Sequence, residues 1–415
     1  MKNLQHFKKT EIGLIPNDWE LKKFSEIFSF LSTGTYSRAQ IHEEGDVGYI
    51  HYGDIHTKLD FKVDTSKYVS GFVSEIEGKP YARIRQGDLI IADASEDVNG
   101  IGKSIEVINQ PANKVISGLH TFLARDIRDT FALGFKGYID SNILVKKQYI
   151  KLASGLKVYS LSKANFDKIW LPIPPLAEQR KIAQALTDAD NYISALEKLI
   201  EKKKQLKEAS LISIFDFNNA EWEVKPLSDL CTYLNDGTHY TPRYTQEGIP
   251  FYSVENVTNN EFTDVKYISK EEHETLIRRC KPENGDILMT RIGSVGVTKL
   301  IDWDINASIY VSLALLKFKN REFVKYFYAY SKTPKFLQDT LSRSLINATP
   351  QKINMNEIGD IPIYLPKCQN EQVRIANIIL NLEKEIEVLK IKLSKAQALK
   401  QGMMQKLLTG EIRLA

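Results

Sequence analysis

The chain has 415 residues, 43% hydrophobic and 26% charged, enough apolar material for two or three packed cores at about 150 residues each and too much for a disordered polymer. With 56 basic and 52 acidic side chains the formal net charge is only +4, so composition does not force attraction to a polyanion and any nucleic-acid surface must be local. Cys231, Cys280 and Cys368 make neither an even disulfide set nor a Cys-x-x-Cys metal pair, Met1 to Thr10 lacks an apolar signal core, and the longest apolar run, Val311 to Phe318, is interrupted by Ser312 and Lys317; a run that short excludes a span of ~20 residues, and a reduced, cytoplasmic protein without a membrane segment is expected.

In chain order, a mixed stretch comes first, with short β-rich runs at Gly48 to Ile55 and Asp88 to Ala92 and Gly-containing turns. It ends in the proline punctuation Pro172-Ile173-Pro174-Pro175, after which Ile182, Leu186, Ala189, Ile193, Leu196 and Ile200 alternate at steps of four and three. That spacing predicts a helix from about Leu176 to Phe215, a rod of ~60 Å that no single globule of this size buries. A second mixed stretch resumes at Trp222, carries a helical pattern near Arg321 to Ser331, and closes at Pro362 to Pro366. Ile379, Leu382, Ile386, Leu389, Leu393 and Ala396 then repeat the three-four alternation, with Glu383, Lys384, Glu387 and Lys390 between them.

The two mixed stretches follow one template. Trp19-Glu20-Leu21-Lys22 through Gly34-Thr35 aligns with Trp222-Glu223-Val224-Lys225 through Gly237-Thr238 at a constant separation of 203. Gly87-Asp88-Leu89-Ile90 matches Gly285-Asp286-Ile287-Leu288, Pro172-Ile173 matches Pro362-Ile363, and Glu178-Gln179 matches Glu371-Gln372, with the separation staying between 190 and 203. The expected fold is an α/β (α+β) tandem repeat: two globules separated by two long helices that form an antiparallel coiled coil, related by a pseudo-two-fold axis. The segments are 1–175, 176–215, 216–367 and 368–415.

Catalytic and metal motifs fail on inspection. Gly100-Ile101-Gly102-Lys103-Ser104 would need a glycine where Asp97 stands to be a phosphate loop, and Glu272-His273-Glu274 lacks the second histidine of a zincin. His51 and His56 flank Asp54, but in a strand residues five apart face opposite ways. No Gly-x-Gly after a strand suits a nucleotide methyl donor. No covalent chemistry is expected of this chain.

What remains are loops that mix basic side chains with Thr, Tyr, His and Gly, groups that pair with phosphate or reach base edges. The first holds Thr238, His239, Tyr240, Arg243 and Tyr244, with Thr35, Tyr36 and Arg38 as counterparts. A second follows the Gly-Asp strand and holds Arg291 and Ser294, or Lys103 in the first half. A third precedes the prolines: Lys157 and Lys163 in one copy, Arg343, Gln351 and Lys352 in the other.

With the tandem halves, the Trp-Glu opening, Asp236-Gly237-Thr238-His239, Gly285 to Ser294, Pro174-Pro175-Leu176 through Glu178-Gln179-Arg180 and the terminal Leu407 to Leu414, the sequence resembles the DNA-specificity subunit of type I restriction-modification systems over essentially its whole length. The first half departs from the pattern, with Ser32-Thr33-Gly34-Thr35-Tyr36-Ser37-Arg38 where the histidine and proline would stand, and Asp93 stands where the second half has an arginine. The resemblance implies a non-catalytic subunit whose two target-recognition domains each read half of a split, asymmetric double-stranded DNA site. It implies two modification (methyltransferase) subunits using S-adenosylmethionine, restriction subunits using ATP and Mg, and no cofactor on this chain. A coiled-coil scaffold for protein partners is the alternative from another class.

Overall fold

The computed structural model describes residues 6–217, 222–345 and 347–414. They form two compact units, one built from the residues through Leu196 together with those from Lys392 onward, the other from Glu197–Ile391. Both boundaries fall within long helices, a central one at Leu176–Ile214 and a C-terminal one at Gln369–Leu408, so each helix contributes a segment to each unit. Among the described residues no helix is long and apolar enough to cross a membrane.

The duplication is visible in the topology. In the first unit Phe28–Leu31, Thr121–Asp126, Leu89–Ala92 and Ser104–Val107 lie side by side antiparallel, with Lys62–Val63 added parallel at the edge. In the second, Cys231–Asp236, Leu313–Phe318, Ile287–Thr290 and Thr298–Leu300 take the same order. A smaller sheet sets Val47–Ile50 between Val115–Ser117, parallel, and Gly71–Val73, antiparallel. Ile249–Tyr252 sits likewise between Ser308–Ile309 and Lys266–Ile268. The Trp-Glu strands close each unit against its proline strand, Glu20–Lys23 on Trp170–Ile173 and Trp222–Pro226 on Pro362–Pro366.

The matched dipeptides are structural. Gly87 and Gly285 hold φ of +81° and +88°, a left-handed turn that favours glycine. The aspartate that follows is buried in both copies and caps the turn, Asp88 accepting from the Arg85 N–H (2.7 Å) and Asp286 from the Glu283 N–H (2.8 Å). Each also takes a cation from the same place on the neighbouring strand. Arg125 forks onto Asp88 with two bonds of 2.7 Å, and Lys317 Nζ donates to Asp286 at 2.5 Å. Removing one partner of such a pair strands the other. Asp88→Ala is therefore expected to lower the stability of the first unit by about 3 kcal/mol in urea titrations.

In the second match, Gln179 Oε1 accepts from the Ala132 N–H and its Nε2 donates to Pro174 O, each at 2.8 Å, and Gln372 Nε2 donates to Pro366 O at 2.8 Å. The amide ties the helix start to the proline strand in both units.

The helix segments pair antiparallel within each unit. In the second, Lys203 meets Glu385 at 2.6 Å and Lys207 meets Glu383 at 3.2 Å. In the first, Asp190 pairs with Lys400, while Ile182, Ala183 and Leu186 share one core with Leu407 and Leu408. The expected stripe faces inward: Ile182, Leu186, Leu196 and Ile200 are buried, as are Ile379, Leu382 and Ile386, and Leu389, Leu393 and Ala396 are half-buried. Beyond Ile200 the stripe continues with Lys203 and Lys207, which are half-buried and face glutamates.

One local expectation is corrected. The run at Gly48 to Ile55 is a strand only to Ile50; Tyr52–Thr57 is a helix whose first turn is capped by His51, its Nδ1 accepting from the Gly53 N–H at 3.1 Å. The cap satisfies an otherwise orphaned donor and turns the chain out of the sheet.

The core of the first unit also encloses Asp140, 3.1 Å from Ser104 Oγ and 4.0 Å from Lys146 Nζ. Burial pushes its carboxyl up to about 6, against Lys146 and Ser104, which lower it. A carboxyl that binds its proton more readily when folded contributes most below its unfolded pKa of ~4, and that contribution is lost as pH rises through the folded value. Asp140→Asn is expected to flatten the stability profile of the first unit between about pH 4 and 6 and to raise its melting temperature at pH 7.

Candidate nucleic-acid interface

In the second unit the three loops singled out above come from places as far apart as residues 236 and 353, and they meet at one ion pair. Asp236 ends its strand and is 2% exposed. Its carboxylate accepts from Arg291 Nη1 at 2.7 Å, Arg279 Nη2 at 2.8 Å and His239 Nε2 at 2.9 Å. Arg291 in turn donates Nη1 to Val311 O (3.1 Å) and Nε to Ile353 O (3.2 Å). Backbone bonds complete the junction: the Arg291 N–H to Ser312 O, the Ile353 N–H to Arg291 O and the Gly293 N–H to Gln351 O.

This corrects the expectation for Arg291. Its side chain is only 9% exposed, so the guanidinium holds the loops together instead of projecting toward a duplex. Thr238 is also buried, its N–H on Ile309 O. His239, Tyr240, Arg243, Tyr244, Ser294 and Lys352 are exposed. Tyr240 donates to Glu272 (2.7 Å), and Lys266 lies 4.9 Å over the Tyr244 ring. Arg243 and Lys352 have no ion pair among the described residues. Arg343 and Gln351 are half-buried, donating to Glu357 (3.4 Å) and Ser344 Oγ (2.7 Å). A cleft of about 260 Å³ opens beside the first loop, lined by Gly237, His239, Tyr240, Arg279 and Cys280. Burial pushes the Cys280 thiol up to about 12, so it stays protonated.

The first unit gathers the same three loops with different chemistry. The Gly34 N–H bonds Ser117 O (2.7 Å), and Tyr36 packs edge-on against Tyr49 and Tyr81 while Thr35 Oγ1 lies 3.0 Å from Tyr81 Oη. Arg38 is exposed but reaches Asp54 at 2.5 Å. Burial alone would raise Asp54, but hydrogen bonds from Arg38, Ser70 and Tyr68 together with the Arg38 charge outweigh it and hold the carboxyl well below the usual range. Lys103 is half-buried and donates to His56 O (3.3 Å). Lys157 is exposed, and Lys163, also exposed, lies over the rings of Phe30 and Phe122. Sequence reasoning missed Arg279, Tyr52 and His120, and weighed Asp54, His51 and His56 only as a metal set on a strand, whereas Tyr52–Thr57 is a helix and Tyr52 packs against the rings of His51, His56 and His120. Only the charge of Asp54 was legible; its partner Arg38 is brought to it by the turn at His51.

Two α/β modules of one topology therefore each tie three loops together and leave polar and aromatic side chains exposed around the junction. The family profile for the type I restriction modification DNA specificity domain matches twice, over residues 16–208 and 219–397. The chain therefore belongs to the type I restriction-modification DNA specificity family. Among its relatives are the MjaVIII specificity subunit of Methanocaldococcus jannaschii, 24% identical over 99% of this chain and 96% of that one, and the EcoKI specificity subunit of Escherichia coli, 24% identical over 70% and 65%. The solved S subunit from M. genitalium shares the fold, with a TM-score of 0.59 at 15% identity over 94% of this chain and 96% of that one. A chain from the structural study of type I system assembly and conformational transition gives a TM-score of 0.55 at 15% identity, covering 96% and 99%.

Proposed function

We propose that this chain is the non-catalytic DNA-recognition subunit of a cytoplasmic type I restriction-modification complex. Each module reads one half of a bipartite, asymmetric double-stranded site. The paired helices set the spacer and dock two modification subunits, which methylate adenine with S-adenosylmethionine; restriction subunits add translocation and cleavage with ATP and Mg. The observation that carries this reading is the convergence of three sequence-distant loops into one exposed cluster in each module. A chain with a net charge of +4 specifies a site in this way when partners supply much of the phosphate contact.

Mapping methylated adenines in a strain carrying or lacking the gene tests it. Exchanging residues 1 to about 170 for those of another family member is expected to change one half-site and leave the other intact; simultaneous change in both overturns the modular reading. Arg243→Ala is expected to leave stability within about 0.5 kcal/mol, because the side chain is exposed and unpaired among the described residues. It should either relax one base position by ~1 to 3 kcal/mol or weaken all sequences alike and flatten the salt slope by about one. Unchanged affinity of the assembled complex at every salt concentration removes Arg243 from the interface.

A further inference from the structure

The matched loops conceal a reversal of charge. Strand register sets Ala92 opposite Thr121 and Thr290 opposite Leu313, so Asp93 and His120 occupy the places of Arg291 and Ser312. The backbone around them is the same. The Asp93 N–H donates to His120 O (3.1 Å) as the Arg291 N–H does to Ser312 O (2.9 Å). Asp93 O accepts from the Leu161 N–H (2.8 Å) as Arg291 O accepts from the Ile353 N–H (2.9 Å). The alignment of Gly34 with Gly237 puts Thr33 where Asp236 stands. The first unit thus keeps the crossing of the loops but has a carboxylate where the second has its guanidinium.

That carboxylate faces His120 Nδ1 at 3.3 Å. Asp93 Oδ1 is buried without a hydrogen bond, so the charge contact with His120 is what faces it, and burial pushes the carboxyl up while His120 opposes the shift. His120 is a turn residue with φ +56°, its ring half-exposed and packed edge-on against Tyr52 at 5.3 Å. The other titratable or charged groups around the pair are His51, its pKa lowered by burial and then by Arg38, His56 with Nε2 on Ala94 O, the Arg38–Asp54 pair, and Lys103 on His56 O.

Resting on the recognition role proposed above, we propose that Asp93 and His120 are the positioning pair of the first unit's recognition loops, a proton-dependent counterpart of the permanent Asp236–Arg291 pair. Imidazole is the side chain whose charge changes within the physiological pH range. With the proton on, the pair is charged and the loop crossing is tied. With it off, the Asp93 carboxylate is left beside a neutral ring and the crossing loosens. In the second unit the carboxylate stays paired with guanidinium whatever the state of His239.

Two substitutions at His120 separate charge from backbone shape. Asparagine tolerates the left-handed conformation but carries no charge, whereas lysine keeps the charge and suits the conformation less well. If the pair positions the loops, the assembled complex binds a duplex carrying its methylation site about three- to tenfold tighter at pH 6 than at pH 8, the His120→Lys complex holds the tight value at pH 8, and His120→Asn stays weak at both. If the residue only shapes the turn, the order reverses, with His120→Asn at or above wild type and His120→Lys below it, and the proposal falls. Amide hydrogen exchange at Asp93 and Leu161 in the full chain without DNA, corrected for intrinsic rates, reads the same junction. Protection that falls between pH 6 and 8 in wild type and holds in His120→Lys supports the pair even if no duplex binds, the result that would instead overturn the recognition role. Protection independent of pH in both overturns the pair.

Discussion

Asp236→Ala is expected to destabilise the second unit by about 3 to 5 kcal/mol, the range for breaking one side of a buried ion pair. The carboxylate is 2% exposed and receives three cationic or potentially cationic donors, of which Arg291 is itself buried. Removing it leaves the Arg291 guanidinium inside the protein with, among the described residues, only Val311 O and Ile353 O to receive it. Because these bonds join the loops at Gly237, Gly293 and Ile353, recognition of the second half-site should fail before the unit unfolds. Chemical denaturation of the chain and methylation mapping of the complex check the two effects separately. Asp236→Asn, which keeps the shape and one acceptor, should lie between; equal stability of all three proteins would mean that Arg291 finds another partner.

A proline at Leu196 is expected to act on the whole chain. Leu196 is 6% exposed and lies inside the central helix Leu176–Ile214. Proline there removes a helical hydrogen bond and clashes with the preceding turn, ~3 kcal/mol or more, and deletes a buried leucine besides. Loss of helical circular dichroism and of methylation at both half-sites is the expected result. A gentler change tests what the helix measures. Inserting four residues after Glu201 lengthens it by ~6 Å, against ~3.4 Å per base pair of B-DNA, and should shift the preferred spacer by a base pair or so or abolish binding. An unchanged spacer at full activity would mean that something else holds the domains apart.

Arg291 shows where reading the sequence stopped. The sequence singles out its loop, with those of Thr238 and Lys352, because the same three positions recur in both halves, yet residue type alone assigns its role. An arginine in a glycine-containing loop looks the same whether it points out or in. The direction depends on Asp236, 55 residues earlier, being held at the end of the neighbouring strand. Asp93 is the converse: the sequence marked it as a missing arginine, and only the register of Ala92 against Thr121 shows that His120 faces the gap.

The sequence by itself determined the duplication, the two modules and the two long helices, because these are written in local periodicity and in colinear motifs: a three-four apolar stripe demands a helical partner, and the matched Gly-Asp turns open equivalent strands in the two halves. It also determined the family, since the order of loose motifs over the whole chain is more specific than any one of them. The tertiary structure alone decided which charged residues stay at the surface. Burial and ion pairing depend on distances between residues far apart in the chain, such as Arg38 to Asp54 and Arg291 to Asp236, and desolvation turns a charge of either sign from a potential DNA contact into a structural one once a partner is within reach.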